Sequence, residues 1–554
     1  MRQEKIMTDN KKKSNSLLVQ GSILVMTSFI SRLIGLCYRF PLTRIVGKIG
    51  MDYYGTAYSI YSILLVVSTY SVPTAISKMI SEREAVKDYE NSRRIFKGSL
   101  IAMTLVGLFM SLLFYFGADF LAGTVQTPMA ASALRVLAPV LLVTSILGVV
   151  RGYFQGFNTM VPTAVSQIIE QIVNAVISVL AAYELVSYGN RVESLLNQPN
   201  MSSAYGAAGG TLGTVVGGIA ALIFLLFILV PFLKSRKKRR STTYKADSYR
   251  VILMIMIATV FPMVLNSIIY NIAPVAEMYV FKNIAVFQKY SARQISLWWM
   301  AYSQEFMVIQ NLPVTVASSL ASPIVPSLAE SYVQNDRKAI RAKTSSVTRF
   351  VMAIVLPMMV GMMVLSGPLL LLLFGDADHT SAMIMMLGAL SVPFYSLSAM
   401  SSSILQGIDK LRIPVRNSII TLISHMGLLS ILLLVFKMNI FAVVISYIFD
   451  GFLTAALNNI AVRKYTKTRY PIGKVFLIPL FSSIIMGLAV FAIYHVLFAI
   501  TSRNAIAVVI SVFAGILIYG LVILKTGGIT ESELKRLPKG DSLCGLARRL
   551  HLFP

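Results

Sequence analysis

The stretch Arg151–Asn174, RGYFQGFNTMVPTAVSQIIEQIVN, holds two apolar runs joined by a short turn. RGYFQG closes the first run. Asn158 to Pro162 makes the turn, and the second run opens at Pro162 with Gln167, Glu170, Gln171 and Asn174 inside it. Offsets of three, four and seven put these four on one helical face, which Thr163 and Ser178 extend. A carboxylate and three amides are costly against lipid, so this face turns toward a partner helix or a wet cavity. A weaker copy of the hairpin recurs about 250 residues later, where QGFNTMVP (155–162) is echoed by QGIDKLRIP (406–414). SVPTAIS around Pro73 has a fainter echo in NLPVTVAS around Pro313. Two pairs in matching order predict a duplicated architecture.

The 554 residues are 56% hydrophobic and only 13% charged, where a soluble chain carries roughly a quarter charged residues. Runs near 20 apolar residues recur throughout, each long enough to cross a hydrocarbon layer of roughly 30 Å. They are continuous rather than alternating, which predicts helices and not barrel strands. The expected fold is therefore an all-α polytopic membrane protein of about 14 spans. These fall near 17–40, 54–80, 97–118, 133–155, 162–187, 204–233, 249–280, 297–323, 349–374, 381–405, 414–436, 439–462, 474–500 and 504–525.

A net charge of +27 raises the question of nucleic acid, and the positions of the charges answer it. With alternating connections, 39 of the 50 Lys and Arg fall on one side. By the positive-inside rule that side is cytoplasmic and holds both termini, in a bacterial cell membrane. No nucleic-acid partner is expected. The densest run, KSRKKRR (Lys234–Arg240), reads as a topology anchor against anionic headgroups. It also sits between two sets of six helices. The expected organisation is a cytoplasmic N-terminus 1–16, a first lobe 17–233, a basic linker 234–248, a second lobe 249–462, two further helices in 474–525, and a tail 526–554. An even number of helices per lobe predicts a pseudo-two-fold axis along the membrane normal. The charged segments 81–96 and 331–348 read as amphipathic surface helices. Cys37 and Cys544 lack metal or redox spacing.

Several polar residues within the apolar runs are candidates for function. In the first span Ser28, Ser31, Arg32, Gly35 and Arg39 share one face, and Arg32 lies well inside the run. A planar guanidinium suits phosphate; pairing with Glu170 or another carboxylate is the structural alternative. Arg39 and Arg44 lie nearer the outer end, as anchors or substrate contacts. Glu170 can neutralise an arginine, take a proton or hydrogen-bond a neighbour. In the second half Asn417, Thr421, Ser424 and His425 align on one helix. Tyr447, Asp450, Thr454 and Asn458 align on the next. These oxygens offer an ion-coupling site, with Asp450 able to carry a proton, or plain helix packing. No spacing names a metal, and no cofactor is expected. Tyr54, Tyr58 and Tyr61 form an aromatic stripe of the kind that packs helices. GAAGGTLGTVVGG (206–218) lacks the strand and GK[ST] ending of a phosphate loop and reads as close helix packing.

The combined pattern resembles the multidrug/oligosaccharidyl-lipid/polysaccharide (MOP) exporter superfamily. Within it the chain is similar to the polysaccharide-biosynthesis branch of MurJ-like lipid II flippases and the stage V sporulation protein B group. SRLIG (31–35), VPTAISKMISE (72–82), RGYFQG (151–156), MVPTAVSQIIEQ (160–171), YGAAGGTLGT (205–214), LPVTVASSLASPIVPSLAE (312–330) and LQGIDKLRIPV (405–415) carry the resemblance. It implies two six-helix lobes plus two helices. It also implies transport of an undecaprenyl-pyrophosphate-linked sugar to the outer leaflet, with arginines holding the pyrophosphate in a central cavity. Arg32 matches such a position. The second arginine of the pattern falls on Tyr38, with Arg39 one residue further.

The expectation is a non-enzymatic flippase, acting as a monomer on a lipid-linked oligosaccharide, lipid II first. Candidate cavity residues are Ser31, Arg32, Arg39, Arg151, Gln167, Glu170, Gln171 and Asn174; ion-coupling candidates are Asn417, Thr421, His425 and Asp450. The alternatives are a drug/cation antiporter of the same fold and a membrane enzyme acting on lipid-linked sugars.

Overall fold

The computed structural model describes residues 26–27, 29–66, 72–157, 159–236, 247–321, 324–468 and 470–528, with single positions in the tail at 531, 544, 545 and 548; for 66, 261–270 and 326 it gives the backbone path. The expected N-terminus 1–16, the core of the basic linker and most of the tail lie outside the described residues. Every described element is helical. In hydrocarbon only a helix satisfies its own backbone, so long apolar runs leave no other choice. Ten of the described helices are long and apolar enough to cross a membrane. The chain divides into two compact units, one ending at Leu297 and the other beginning at Trp298.

In the first unit, helix α1 (29–37) continues into α2 (Arg39–Val66) through i to i−4 bonds, Tyr38 N–H to Ile34 O and Leu42 N–H to Tyr38 O. The bend comes later, at Gly47, whose φ of 75° and ψ of 169° lie outside the helical region and suit glycine. The first span therefore ends at Val46, beyond the expected 40, and Gly47 turns the chain into the second. Then follow α3 (Val72–Ala85), α4 (Tyr89–Phe116), α5 (Ala118–Thr124), a short turn Pro128–Ala130, α6 (Ala131–Gly156), α7 (Val161–Leu196), α8 (Met201–Arg236), α9 (Tyr249–Asn271) and α10 (Ala273–Phe287). Helices α9 and α10 come after the basic linker, yet they pack on α2, α3 and α4 of this unit.

The second unit starts within α11 (Ala292–Met300). A π-helical turn, Ala301–Phe306, leads to α12 (Met307–Ala321), α13 (Ile324–Val333), α14 (Arg337–Val364), α15 (Ser366–Phe374), α16 (His379–Gly388), α17 (Val392–Gly407), α18 (Arg412–Leu434), α19 (Asn439–Thr466), α20 (Ile478–Thr501) and α21 (Asn504–Lys525).

The charged segments 81–96 and 331–348 are not surface helices. Each contains the end of one helix, a tight turn and the start of the next. In the first, Lys87 takes a φ of 62° and the Asp88 side chain accepts the Asn91 N–H. In the second, Asn335 takes 53° and Asp336 accepts the Ala339 N–H. An aspartate cap stops one helix and starts another, which a charge pattern alone does not reveal.

The caps give a register for the duplication. Gly156 of RGYFQG lets α6 touch α3: a Cβ there would lie 2.7 Å from the Ile80 Cβ. Gly407 of the echoing motif does the same on α13, where a Cβ would lie 2.9 Å from the Leu328 Cβ. Ile80 precedes Asp88 by eight residues and Leu328 precedes Asp336 by eight, so this echo marks equivalent positions. The fainter one does not. Pro73 near the start of α3 lies 15 residues before Asp88, whereas Pro313 inside α12 lies 23 before Asp336.

Both described ends of the basic linker are held at the α3–α4 corner. Arg236 pairs with Glu84 at 3.3 Å and lies over the Phe157 ring at 3.8 Å. Asp247 pairs with Arg83 at 2.9 Å, and Arg93 and Arg94 donate to the carbonyls of Arg236 and Asp247.

Candidate functional site

The glycines of α8 set up the site. A Cβ on Gly209, Gly213 or Gly217 would fall 2.5 Å from the carbonyl oxygens of Ala181, Asn174 and Glu170, so α8 lies backbone to backbone against α7. That approach brings Thr214 to the polar face of α7. Asn174 Oδ1 accepts from Thr214 Oγ1 at 3.4 Å and from Ser178 Oγ at 2.9 Å, and Ser178 also donates to Gly210 O at 2.7 Å. Thr214 is hydrogen-bonded in turn to the Tyr58 hydroxyl.

Tyr58 belongs to the stripe on α2. Tyr54 and Tyr61 are fully buried, and the rings pack in sequence, 4.6 Å from Tyr54 to Tyr58 and 6.0 Å from Tyr58 to Tyr61. The stripe is thus a packing element, and its hydroxyls also serve a polar site. Tyr54 shares a 2.8 Å hydrogen bond with Tyr38. Arg39 is half-buried beside Tyr38, Tyr54 and Tyr58. The result is one guanidinium ringed by phenols, with the amide of Asn174 reached through Thr214. Gln171 borders the same region: its Oε1 would be 3.5 Å from a Cβ on Gly35 of α1.

The remaining candidates separate. Arg151 is buried and donates to Glu170 at 2.7 Å and to Ser166 at 3.0 Å. Glu170 therefore has Arg151 on α6 as a partner. Two candidates for substrate contact neutralise each other. Arg32 is exposed on α1, and Ser31 beside it is half-buried. Gln167 Oε1 is buried and accepts no hydrogen bond among the described residues.

In the second unit three of the ion-coupling candidates, Asn417, Thr421 and His425 of α18, bond residues of α19, and Asp450 of α19 bonds α17. Asn417 Nδ2 donates to Asn458 Oδ1 at 2.9 Å, and Asn458 donates to Ser402 at 3.2 Å. Thr454 donates to Thr421 at 3.1 Å, and the His425 ring meets Ser446 at 3.2 Å. Asp450 accepts from Tyr395 at 2.7 Å, whose ring stacks on Tyr447 at 4.5 Å. Among the described residues no three of His, Cys, Asp and Glu converge on a point that would hold a metal ion.

A cluster that the sequence reading missed lies in the first unit. Lys282 of α10 and Asp52 of α2 form a fully buried ion pair, with Nζ at 2.7 and 3.0 Å from the carboxylate oxygens, 3.0 Å from Thr56 Oγ1 and 2.9 Å from Thr127 Oγ1. Asp52 is five residues past the Gly47 bend, and Lys282 lies near the end of its apolar run. Both read as ordinary interfacial charges in one dimension.

A family model described as polysaccharide biosynthesis protein matches residues 17–286, and a second model of that description matches 215–383. Lipid II flippase MurJ of Bacillus subtilis (strain 168) is 25% identical, over 95% of this chain and 98% of its own. Stage V sporulation protein B of the same organism is 23% identical, over 93% and 96%. Over most of its length the chain is thus similar to polysaccharide-biosynthesis proteins. Among solved structures, a lipid II flippase MurJ in an inward closed conformation superposes with a TM-score of 0.64 at 18% identity, covering 90% of this chain and 97% of that one. An inward-facing multidrug resistance MATE transporter gives 0.63 at 15%, covering 81% and 98%. The chain has the MOP fold, and the Arg39–tyrosine site is built from the part of that fold contributed by α1, α2, α7 and α8.

Proposed function

We propose that this protein is a flippase that moves an undecaprenyl-pyrophosphate-linked sugar, lipid II first, from the inner to the outer leaflet of a bacterial cell membrane by alternating access. The observation that carries this reading is the arginine set among phenols and amides in a chain similar over nearly its whole length to a lipid II flippase. Arg39 supplies a planar cation for pyrophosphate, and Arg32 adds a second on the exposed side of α1. The hydroxyls of Tyr38 and Tyr58 and the amides of Asn174 and Gln171 suit sugar hydroxyls.

An open apolar groove of about 590 Å³ runs beside this site, lined by Ile30, Leu33, Ile34, Ala175, Val176 and their neighbours. Tyr38 borders both the groove and the polar network. That juxtaposition suits a ligand with a polar head and a polyprenyl tail. A drug/cation antiporter needs an uncompensated acid at the site, and here Glu170 is neutralised by Arg151. With both termini cytoplasmic, as the charge bias has it, the arginine-bearing first span ends on the outer side. Movement then follows from a difference in substrate affinity between the two access states, and the chain acts as a monomer without making or breaking bonds.

Translocation of fluorescent lipid II in proteoliposomes tests the reading. Arg39→Ala should slow transport at least about tenfold, and Arg39→Lys should recover part of it, since a point charge replaces a fork. Full transport by an Arg32→Ala/Arg39→Ala protein that folds normally overturns the site.

A further inference from the structure

Within the second unit one carboxylate is left without a cation. We propose that Asp450, with Tyr395 and Tyr447, forms a site for an organic ammonium group, and that the group it receives is a free amine on the headgroup of the lipid-linked cargo. The source of the amine rests on the flippase reading; the site itself does not.

Three observations carry it. First, the charge of Asp450 is surplus to packing. Asp450 lies eleven residues after Asn439, about 16 Å along the 28-residue α19, and so well inside the span. Among the described residues it forms no ion pair, and its side chain accepts one hydrogen bond, from the Tyr395 hydroxyl at 2.7 Å. On the same stripe Thr454 and Asn458 join α19 to α18 through neutral groups, so holding these helices together does not require a carboxylate. An ionisable group inside a span is costly unless it meets a partner or a wet cavity. Asp52 and Glu170 each meet a cation from another helix. Asp450 is half-buried, which leaves it open to a cation from outside.

Second, its surroundings suit an organic cation better than a metal ion. The Tyr395 ring stacks on Tyr447 at 4.5 Å. Tyr302 and Phe306 of the π-helical turn meet the Tyr447 ring nearly at right angles, 6.0 and 6.2 Å away. Ring faces attract an ammonium. A hard metal ion instead asks for a shell of oxygens, and among the described residues no metal-holding group of acids, histidines or cysteines includes Asp450.

Third, the backbone makes room for these rings. A Cβ on Gly451, next to Asp450, would lie 2.9 Å from the Tyr395 ring, and one on Gly388 would lie 2.5 Å from the Phe306 ring. Tyr395 and Tyr447 are half-buried like Asp450, so the three are reached from the same solvent-accessible side of the unit's interior only where a ligand can follow.

A free organic cation has the same chemistry as a headgroup amine, and the experiment separates the two. The chain has two tryptophans, Trp298 and Trp299, and the Trp299 ring lies 5.4 Å from Tyr302, so tryptophan fluorescence reports on the site. Full-length protein in nanodiscs is titrated with Nα-acetyl-lysine amide and, separately, with Nα,Nε-diacetyl-lysine amide, which has the same stem and no charge. The free amine should give a saturable change at a concentration about tenfold lower than the blocked one. The preference should vanish in Asp450→Asn and narrow to about threefold in Tyr447→Leu, which keeps the charge and loses the ring face. Equal responses to the two probes in the unsubstituted protein overturn the site, whether or not any variant folds. So does a preference that persists in folded Asp450→Asn. Lipid II with a free lysine amine in its stem peptide should likewise bind about tenfold more tightly than lipid II acetylated there. If the lysine amides behave as expected and the two lipids bind alike, the headgroup assignment is overturned in favour of a free organic cation. If they behave as expected and fluorescent lipid II does not move in the unsubstituted protein, the ammonium site stands and the flippase reading falls.

Discussion

The α18–α19 seam of the second unit and the ion pairs of the first bury polarity in different ways. In the second, the seam between α18 and α19 is made of neutral groups that answer one another: amide to amide at Asn417–Asn458, hydroxyl to hydroxyl at Thr454–Thr421, imidazole to hydroxyl at His425–Ser446. In the first, full charges are buried. Lys282 and Asp52 are paired across α10 and α2, and Arg151 and Glu170 across α6 and α7. Arg39 is left facing phenols. Neutral seams align helices at little risk, because losing one partner strands only a dipole. Charged pairs are stable only when complete, so they concentrate the consequences of any change in a few residues.

That contrast can be broken at graded points. The largest effect should come from Asp52→Asn, which strands the Lys282 ammonium. Removing one partner of a fully buried pair costs about 3–5 kcal/mol. Thermal unfolding in detergent should show it, and Lys282→Gln in the same protein should recover much of the loss. Glu170→Gln should cost less, about 2 kcal/mol, because the Glu170 side chain keeps 20% of its exposure. The same thermal measurement reads it. Gly213→Ala should cost about 1–2 kcal/mol by overpacking, since the new Cβ meets Ser178 Oγ and Asn174 O. It should also slow transport by moving Thr214 off Asn174. Asn417→Ala in the neutral seam should cost least, about 0.6–1 kcal/mol, the usual range for a hydrogen bond between membrane helices. An Asn417→Ala loss as large as that of Asp52→Asn would erase the distinction between the neutral seam and the ion pairs.

Much of the architecture could be read from the chain alone. The apolar runs, the alternation of basic connections and the hairpin at Arg151–Asn174 specify the helices and the duplication. The face bearing Gln167, Glu170, Gln171 and Asn174 was legible too, because helical period is a local property. What each residue on that face touches was not. Glu170 and Arg151 are 19 residues apart, and their pairing depends on how α6 crosses α7. The tyrosine stripe read as packing, and nothing local shows that Gly213 brings Thr214 within reach of Tyr58. The cap at Asp88 was obscured by the charges around it, which imitate an amphipathic helix.

By itself, then, the sequence determined that this is a helical membrane protein built on a repeat, with glycines placed for close packing and arginines placed inside or beside its first span. Hydropathy and period act over one or two turns of helix, so they survive in one dimension. The tertiary structure alone decided which charges are neutralised, which hydroxyls gather around Arg39, and that Lys282 closes on Asp52. Those two are 230 positions apart. An ion pair has no period and no preferred separation along the chain. It exists only where packing removes water from both partners together.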